Sequence, residues 1–222
     1  MPDRQPAILA LADGTIFRGE SIGATGESVG EVVFNTSLTG YQEVFTDPSY
    51  AGQIVILTNP QVGNYGTNAA DNEAAKAYIE GLVVREWAEQ PSNWRSQETA
   101  DQFLARQDIP VISEIDTRAI VRRLRSQGVM RGALSTAGHG AAELVEMARK
   151  APLMSGRALA PEVSAAQSYV WTEPVSPCSP SEPPPPAPAD RFKVAAYDFG
   201  IKRNILRRLA TAGAEVTVVP AG

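Results

Sequence analysis

The sequence predicts an α/β protein in unequal parts: a mixed, β-rich N-terminal domain over 1–173, a proline-rich linker over 174–190, and the opening β-α-β of a parallel-sheet domain over 191–222. Three observations carry this reading. Short apolar runs bounded by Gly, Pro or Asn recur through the first part, with only three helical patterns among them. Eight of the chain's 17 prolines fall between 174 and 188. Beyond them the apolar spacing changes from strand to helix and back to strand.

Taken in order, Ala7-Ile8-Leu9-Ala10-Leu11-Ala12 and Thr15-Ile16-Phe17-Arg18-Gly19 flank Asp13-Gly14, the pair favoured in a two-residue hairpin turn, so the chain should open on a β-hairpin. Further strands are expected at 31–35, 53–58, 79–85, 110–113 and 130–135, and helices at 96–106, 116–127 and 141–150. The second helix is the best defined. Asp116 can cap its first turn, Ile120 and Leu124 share a face, and Gly128 stands at its end. Strands with interspersed helices point to an α/β domain with a largely β core rather than a doubly wound one.

In the linker, missing amide donors and fixed φ angles exclude helix and interior strand, and the tetraproline 183–186 favours an extended spacer. After it, Lys193-Val194-Ala195-Ala196-Tyr197 reads as a buried strand and Asp198-Phe199-Gly200 as a tight turn. Residues 201–212 read as a helix with Ile201, Ile205 and Leu209 on one stripe, and Glu215-Val216-Thr217-Val218-Val219 as the next strand. Two parallel strands and one crossover leave a sheet face and both edges bare, so this piece should be marginal unless something covers it.

Composition narrows the function. The chain is 43% hydrophobic and 20% charged, with a formal net charge of −5. That balance argues against a general nucleic-acid surface. No apolar stretch approaches the roughly 20 residues needed to cross a bilayer, and Met1-Pro2-Asp3-Arg4-Gln5-Pro6 is unlike a secretory leader; a soluble, cytoplasmic protein without nucleic-acid or membrane partners is expected. One cysteine and one histidine can form neither a disulfide nor a Cys/His zinc site, so no metal is expected. Cys178, between Pro177 and Ser179, reads as an incidental thiol.

Other motifs weigh less than they first suggest. Gly23-Ala24-Thr25-Gly26 with Gly30 lacks the strand-to-helix setting and the G-K-[ST] sequence of a phosphate loop, and reads as turns. Asp198-Phe199-Gly200 spells a kinase magnesium tripeptide, yet no H-R-D loop precedes it. His139, between two glycines, has no serine or cysteine elbow nearby and reads as a surface histidine. Arg118, Arg122, Arg123 and Arg125 crowd one helix of an acidic chain, either as a solvated face or as a docking surface for an acidic partner.

The run from Phe34-Asn35-Thr36-Ser37-Leu38-Thr39-Gly40-Tyr41-Gln42-Glu43 through Val44-Phe45-Thr46 to Asp47-Pro48-Ser49-Tyr50 is dense in uncharged hydroxyls and amides, as for a polar surface that faces a neutral ligand or a subunit. This run resembles the N-terminal domain of the small, glutamine-hydrolysing subunit of carbamoyl-phosphate synthase. So do Asn59-Pro60-Gln61-Val62-Gly63-Asn64-Tyr65-Gly66-Thr67-Asn68, Glu114-Ile115-Asp116-Thr117-Arg118 and Ala196-Tyr197-Asp198-Phe199-Gly200-Ile201-Lys202-Arg203-Asn204-Ile205-Leu206. The blocks match in order over essentially the whole chain.

That resemblance implies an N-terminal domain of swivelling β/β/α type followed by the truncated start of a class I glutamine amidotransferase domain. In the family, the second domain hydrolyses glutamine through a cysteine, a histidine and a glutamate. The ammonia passes to a large subunit that uses bicarbonate and ATP with Mg to make carbamoyl phosphate for arginine and pyrimidine synthesis. The partners implied are therefore the large subunit and L-glutamine, with no cofactor in this chain. The family's catalytic triad lies beyond Gly222, and Cys178 precedes the glutaminase strand, so the 222 residues alone should not hydrolyse glutamine. By the same resemblance, the serine of Asp-Pro-Ser-Tyr contacts glutamine from the N-terminal domain, which places Ser49 as the one substrate-binding residue. Its residue chemistry also fits an ordinary turn serine; as a ligand it would offer a hydroxyl and a backbone amide to a zwitterion. Tyr41, Gln42 and Asn64 remain open as helpers or large-subunit contacts. A non-catalytic adaptor for the large subunit is the alternative reading.

Overall fold

The computed structural model describes residues 4–177, 181, 183 and 190–221. Cys178 and most of the proline-rich stretch, including 184–186, lie outside the described residues.

The first part is a closed, mixed barrel of seven strands. β1 (Pro6–Leu11) and β2 (Ile16–Gly23) make the expected hairpin. Its loop, however, has three residues instead of two: Gly14 N–H donates to the Leu11 carbonyl and Leu11 N–H to the Thr15 carbonyl, both at 2.9 Å. Gly14 supplies the left-handed position at the loop end with φ 93°. Asp13 contributes by accepting from Thr15 N–H at 2.8 Å.

Next come β3 (Glu27–Asn35), the short helix α1 (Tyr41–Thr46), β4 (Gln53–Leu57), β5 (Gln61–Val62), β6 (Gly81–Val83) and β7 (Glu86–Trp87). α2 (Ala100–Arg106), β8 (Pro110–Ser113), α3 (Thr117–Gln127), β9 (Met130–Ser135) and α4 (Ala141–Lys150) follow. Around the barrel the order is β1-β2-β8-β6-β4-β3-β9, closed by β9 against β1. The pairs β3/β4, β4/β6 and β6/β8 are parallel and the others antiparallel.

The two-residue alternation of strands sorts the side chains. Leu9 and Leu11 of β1, Val32 of β3, Ile54 and Ile56 of β4, Val83, Ile112 and Leu134 form one buried cluster inside the barrel, joined by Ile120 and Leu124 of α3. The intervening residues Val55, Leu57, Leu82 and Val111 face outward under Phe45 of α1 and Phe103 and Leu104 of α2. A third cluster joins Ala10 and Ala133 to Leu144, Val145 and Ala148 of α4. β4 is thus covered on both faces, which explains its unbroken Ile-Val-Ile-Leu run.

Two helices begin at their caps. α3 starts where expected, with Asp116 accepting from Ala119 N–H at 2.9 Å. α2 starts at Ala100, later than the predicted 96, because Thr99 and Gln102 form a reciprocal capping box there. β3 starts earlier than predicted, at Glu27, since residues 27–32 pair with β9.

The second unit is a three-stranded sheet. α5 (Leu159–Val163) leads to β10 (Tyr169–Trp171), and after the proline-rich stretch of sequence come β11 (Phe192–Asp198), α6 (Arg203–Thr211) and β12 (Ala214–Pro220). β11 and β12 are parallel, as a β-α-β unit requires, while β10 adds antiparallel to β12. Residues 169–171, on the N-terminal side of the proline run, therefore belong to this sheet and not to the barrel. The expected Ile201-Ile205-Leu209 stripe is corrected in part. Leu206 is fully buried against Ala214, Val216 and Val218, and Ile201, just before the helix, and Leu209 pack on that cluster, whereas Ile205 is 48% exposed. Lys202 is extended, so the helical phase is set from residue 203.

Candidate functional site

The polar run around Ser49 divides into two kinds of residue. Thr36, Ser37, Leu38, Thr39 and Ser49 are exposed, but 41, 42 and 44–48 are buried, so the expected polar surface is confined to the ends of the run. The middle folds into α1, too short for periodicity to announce. Tyr41 stacks on Tyr65 with ring centroids 3.9 Å apart. The Tyr65 hydroxyl accepts from Gly40 and Tyr41 N–H, both at 2.8 Å, in place of a capping side chain at the helix start. Burial raises both phenols above their ordinary pKa, so each stays a neutral hydroxyl. Gln42 is fully buried; its amide nitrogen donates to Asn68 O and Asn72 Oδ1, and its amide oxygen accepts from Asn68 N–H at 3.0 Å. Tyr41 and Gln42 are therefore framework within this chain, while Asn64 is exposed.

α1 delivers the chain into a 3-10 turn, Pro48–Tyr50, which carries Ser49. Asp47 caps it: Oδ1 accepts from Ser49 N–H at 2.9 Å. The Ser49 amide is thus already engaged, which corrects the expectation that it would be offered to a ligand. The hydroxyl is exposed and, among the described residues, has no hydrogen-bond partner.

The second unit meets the barrel at this turn. Lys202 Nζ donates to Asp47 Oδ2 at 2.9 Å, and this hydrogen bond raises the lysine pKa above its ordinary value. Glu73, buried in the barrel unit, accepts at the start of α6: its carbonyl takes Arg203 N–H and its Oε2 takes Asn204 N–H, both at 2.8 Å. Gly200, with φ 94°, sits so close to Pro48 and Val163 that an added Cβ would come within 3.1 Å and 2.9 Å of them. Asp198 explains the Asp-Phe-Gly sequence. Its Oδ1 accepts from Gly200 and Ile201 N–H and its Oδ2 from Ala165 N–H, so the tripeptide is a turn tied to the segment before β10.

A cleft of about 290 Å³ lies along this junction, lined by Asn35, Thr39, Glu43, Asp47, Glu73 and Lys202 among others. A neighbouring cleft of about 270 Å³ shares Thr39, Gly40 and Glu43 and continues to Asp71 and Arg95, themselves paired at 2.6 Å. Glu43 separates the two. Burial, then the charges of Asp71 and Glu73, push its carboxyl pKa up, with Arg95 opposing.

The arrangement is suited to holding a polar ligand and contains no nucleophile-base pair. His139 binds Glu27 and Glu143 through its two ring nitrogens, at 2.8 and 3.0 Å, and none of these three residues lines either cleft. On α3, Arg123 pairs with Asp13, whereas Arg118, Arg122 and Arg125 are exposed and make no ion pair among the described residues. No group of three or more His, Cys, Asp or Glu among the described residues could hold a metal ion, and no helix there is long and apolar enough to cross a membrane.

Sequence reasoning singled out Ser49 and gave no role to Asp47, Glu73 and Lys202, the residues that join its turn to the second unit. Their partners lie up to 155 positions away, and no local pattern reports such a contact.

Comparison with known proteins gives the family. The profile of the carbamoyl-phosphate synthase small chain, CPSase domain, matches residues 9–134. The carbamoyl phosphate synthase small chain of Syntrophotalea carbinolica is 52% identical over 216 residues, 97% of this chain and 57% of that protein. Those of Nostoc sp. and Thermosynechococcus vestitus are 48% and 49% identical over 100% and 97% of this chain, and 57% and 56% of their own lengths. The chain thus spans little more than half the length of these relatives. With the profile covering most of the barrel and the relatives aligning through both units, the chain belongs to the carbamoyl-phosphate synthase small chain family.

Proposed function

We propose that these residues form the N-terminal part of the ammonia-supplying subunit of a glutamine-dependent carbamoyl-phosphate synthase, and that Ser49 contacts L-glutamine from the barrel side of the glutaminase site. In this reading the second unit is the start of a class I glutamine amidotransferase domain. The remainder of that domain cleaves the glutamine side-chain amide. The ammonia goes to a large subunit that consumes bicarbonate and ATP with Mg, in the cytoplasm, toward arginine and pyrimidines. The barrel's part is to present a hydroxyl and to hold the second unit in register; it supplies no nucleophile, base or cofactor.

One observation carries the reading: Ser49 is exposed on a turn whose cap, Asp47, is bonded to Lys202 at the start of α6 in the second unit. A hydroxyl held there can donate to a carboxylate or accept from an ammonium, the two ends of an amino acid. The exposed arginines of α3 fit a docking role toward the large subunit, by charge alone.

The test uses the full-length small subunit bound to its large subunit. Ser49→Ala should raise the KM for glutamine by about tenfold, the scale of one lost hydrogen bond to a charged group, and leave synthesis from ammonium salts unchanged. An unaltered glutamine KM would refute the assignment. The isolated 222-residue chain should bind the large subunit without releasing ammonia from glutamine. Sustained release would show a nucleophile in the wrong place, whereas a full-length complex that never uses glutamine would favour the adaptor.

A further inference from the structure

The contact between the two units closes on itself. Thr46 Oγ1 accepts from Glu73 N–H at 2.8 Å and donates to the Gln42 carbonyl at 2.9 Å, so Glu73 is fastened to the last turn of α1. Glu73 in turn receives Arg203 and Asn204 N–H. Lys202, the residue before them, reaches back to Asp47, the neighbour of Thr46 and the cap of the Ser49 turn. The circuit Thr46, Asp47, Lys202, Arg203, Asn204, Glu73 and back to Thr46 contains hydrogen bonds and peptide bonds only. Its members come from both units, and Ser49 is bonded directly to it.

Within this circuit Glu73 has a place no other residue shares. α6 has no side-chain cap of its own: Lys202 occupies the cap position and its side chain points elsewhere. The first N–H groups of a helix need an acceptor and carry partial positive charge, and a carboxylate is the favoured occupant. The barrel unit provides that carboxylate from outside the helix. Glu73 is 8% exposed, and both its carbonyl and its carboxylate are used, so it fixes the direction of α6 as well as its distance.

We infer that Glu73 is a positioning residue for glutamine use: by capping the first helix of the second unit from the barrel, it sets Ser49 at its working distance from the glutaminase site. The inference rests on the assignment of Ser49 as a glutamine contact. Glu73 itself touches no substrate. Its loss should loosen the register of the two units, and the consequence falls on substrate binding that both units share.

The experiment takes the full-length small subunit in complex with its large subunit and compares Glu73→Ala, Glu73→Gln, Ser49→Ala and the Glu73→Ala/Ser49→Ala double variant. Glu73→Ala is expected to raise the glutamine KM about tenfold with kcat within about twofold, and to leave ammonium-dependent synthesis at the wild-type rate. Glu73→Gln should recover most of the KM, because its amide oxygen still accepts from Asn204 N–H. The double variant should be no worse than Ser49→Ala, since both changes remove one contact. A Glu73→Ala enzyme with wild-type glutamine KM beside a defective Ser49→Ala overturns the inference, and so does an equal loss of ammonium-dependent synthesis, which marks general damage. Failure of the Ser49 assignment shows separately, as a Ser49→Ala enzyme with normal glutamine KM. Helix capping is then read by amide exchange at Asn204, whose N–H loses its carboxylate acceptor in Glu73→Ala, and unchanged protection there overturns it.

Discussion

The barrel and the three-stranded sheet solve the same problem by opposite means. In the barrel, every strand has two neighbours, so no edge is left open, and β4 is buried on both faces. In the sheet, β10 and β11 are edges among the described residues, and Tyr197 and Phe199 are 67% and 63% exposed. Its core is small, centred on Leu206, Val216 and Val218. Yet it is tied down at its first helix and its first turn by residues outside the β-α-β unit: Glu73 and Asp47 from the barrel, and Ala165 from the connecting segment. A closed fold is stabilised by its own burial, and an open one by its attachments.

Core substitutions test this contrast most severely. Ile54→Ala empties a fully buried position inside the barrel and should cost roughly 2–5 kcal/mol of global stability, measured by denaturant unfolding. Leu206→Ala removes an equally buried side chain from the sheet. There the loss should be local: amide protection falls in β11, α6 and β12, and the barrel's unfolding midpoint stays where it was. A matching shift of the barrel midpoint in Leu206→Ala would show that the two units unfold as one, and the contrast would fail.

The same difference governs what could be read from the sequence. Apolar runs such as Ile54-Val55-Ile56-Leu57 and the capped pattern from Asp116 to Gly128 declare themselves, since burial and capping are local signals. The strands at 110–113 and 130–135 and the helix at 141–150 were legible for the same reason. α1 was not, because six residues hold under two turns and its start is served by the hydroxyl of distant Tyr65. The Ile205 stripe misled because regular spacing was read from Ile201, a residue outside the helix. Ser49 was singled out only through family likeness, and the bond from its cap, Asp47, to Lys202 is a tertiary fact that no spacing encodes.

Asp198 offers a sharper and smaller test. It is buried and accepts three backbone N–H groups, two within its own turn and one from Ala165. Asp198→Ala leaves those donors unmatched and should cost about 1.5–3 kcal/mol, the scale of hydrogen bonds to a charged acceptor. The effect should be confined to the sheet unit and the segment before β10, visible as faster exchange at Ala165, Gly200 and Ile201. Exchange that speeds equally in β4 would contradict the view that attachments hold the sheet while burial holds the barrel.

The mildest effect belongs to the barrel's surface, where His139 links the start of β3 to α4 through Glu27 and Glu143. Hydrogen bonding to Glu143, then the charges of Glu143 and Glu27, raise its pKa above the ordinary 6.5. A cation whose folded-state pKa is raised contributes stability that is fully present below its unfolded value and is lost as pH rises through the folded one. The stability difference between wild type and His139→Gln should therefore be larger at pH 5.5 than at pH 8.5, with the same sign throughout and a small size, because the imidazole is partly exposed and its pairs are screened. High salt should reduce it further. A difference that grows toward alkaline pH would mean that the neutral ring is the form the fold prefers, and that the two carboxylates do not hold α4 by charge.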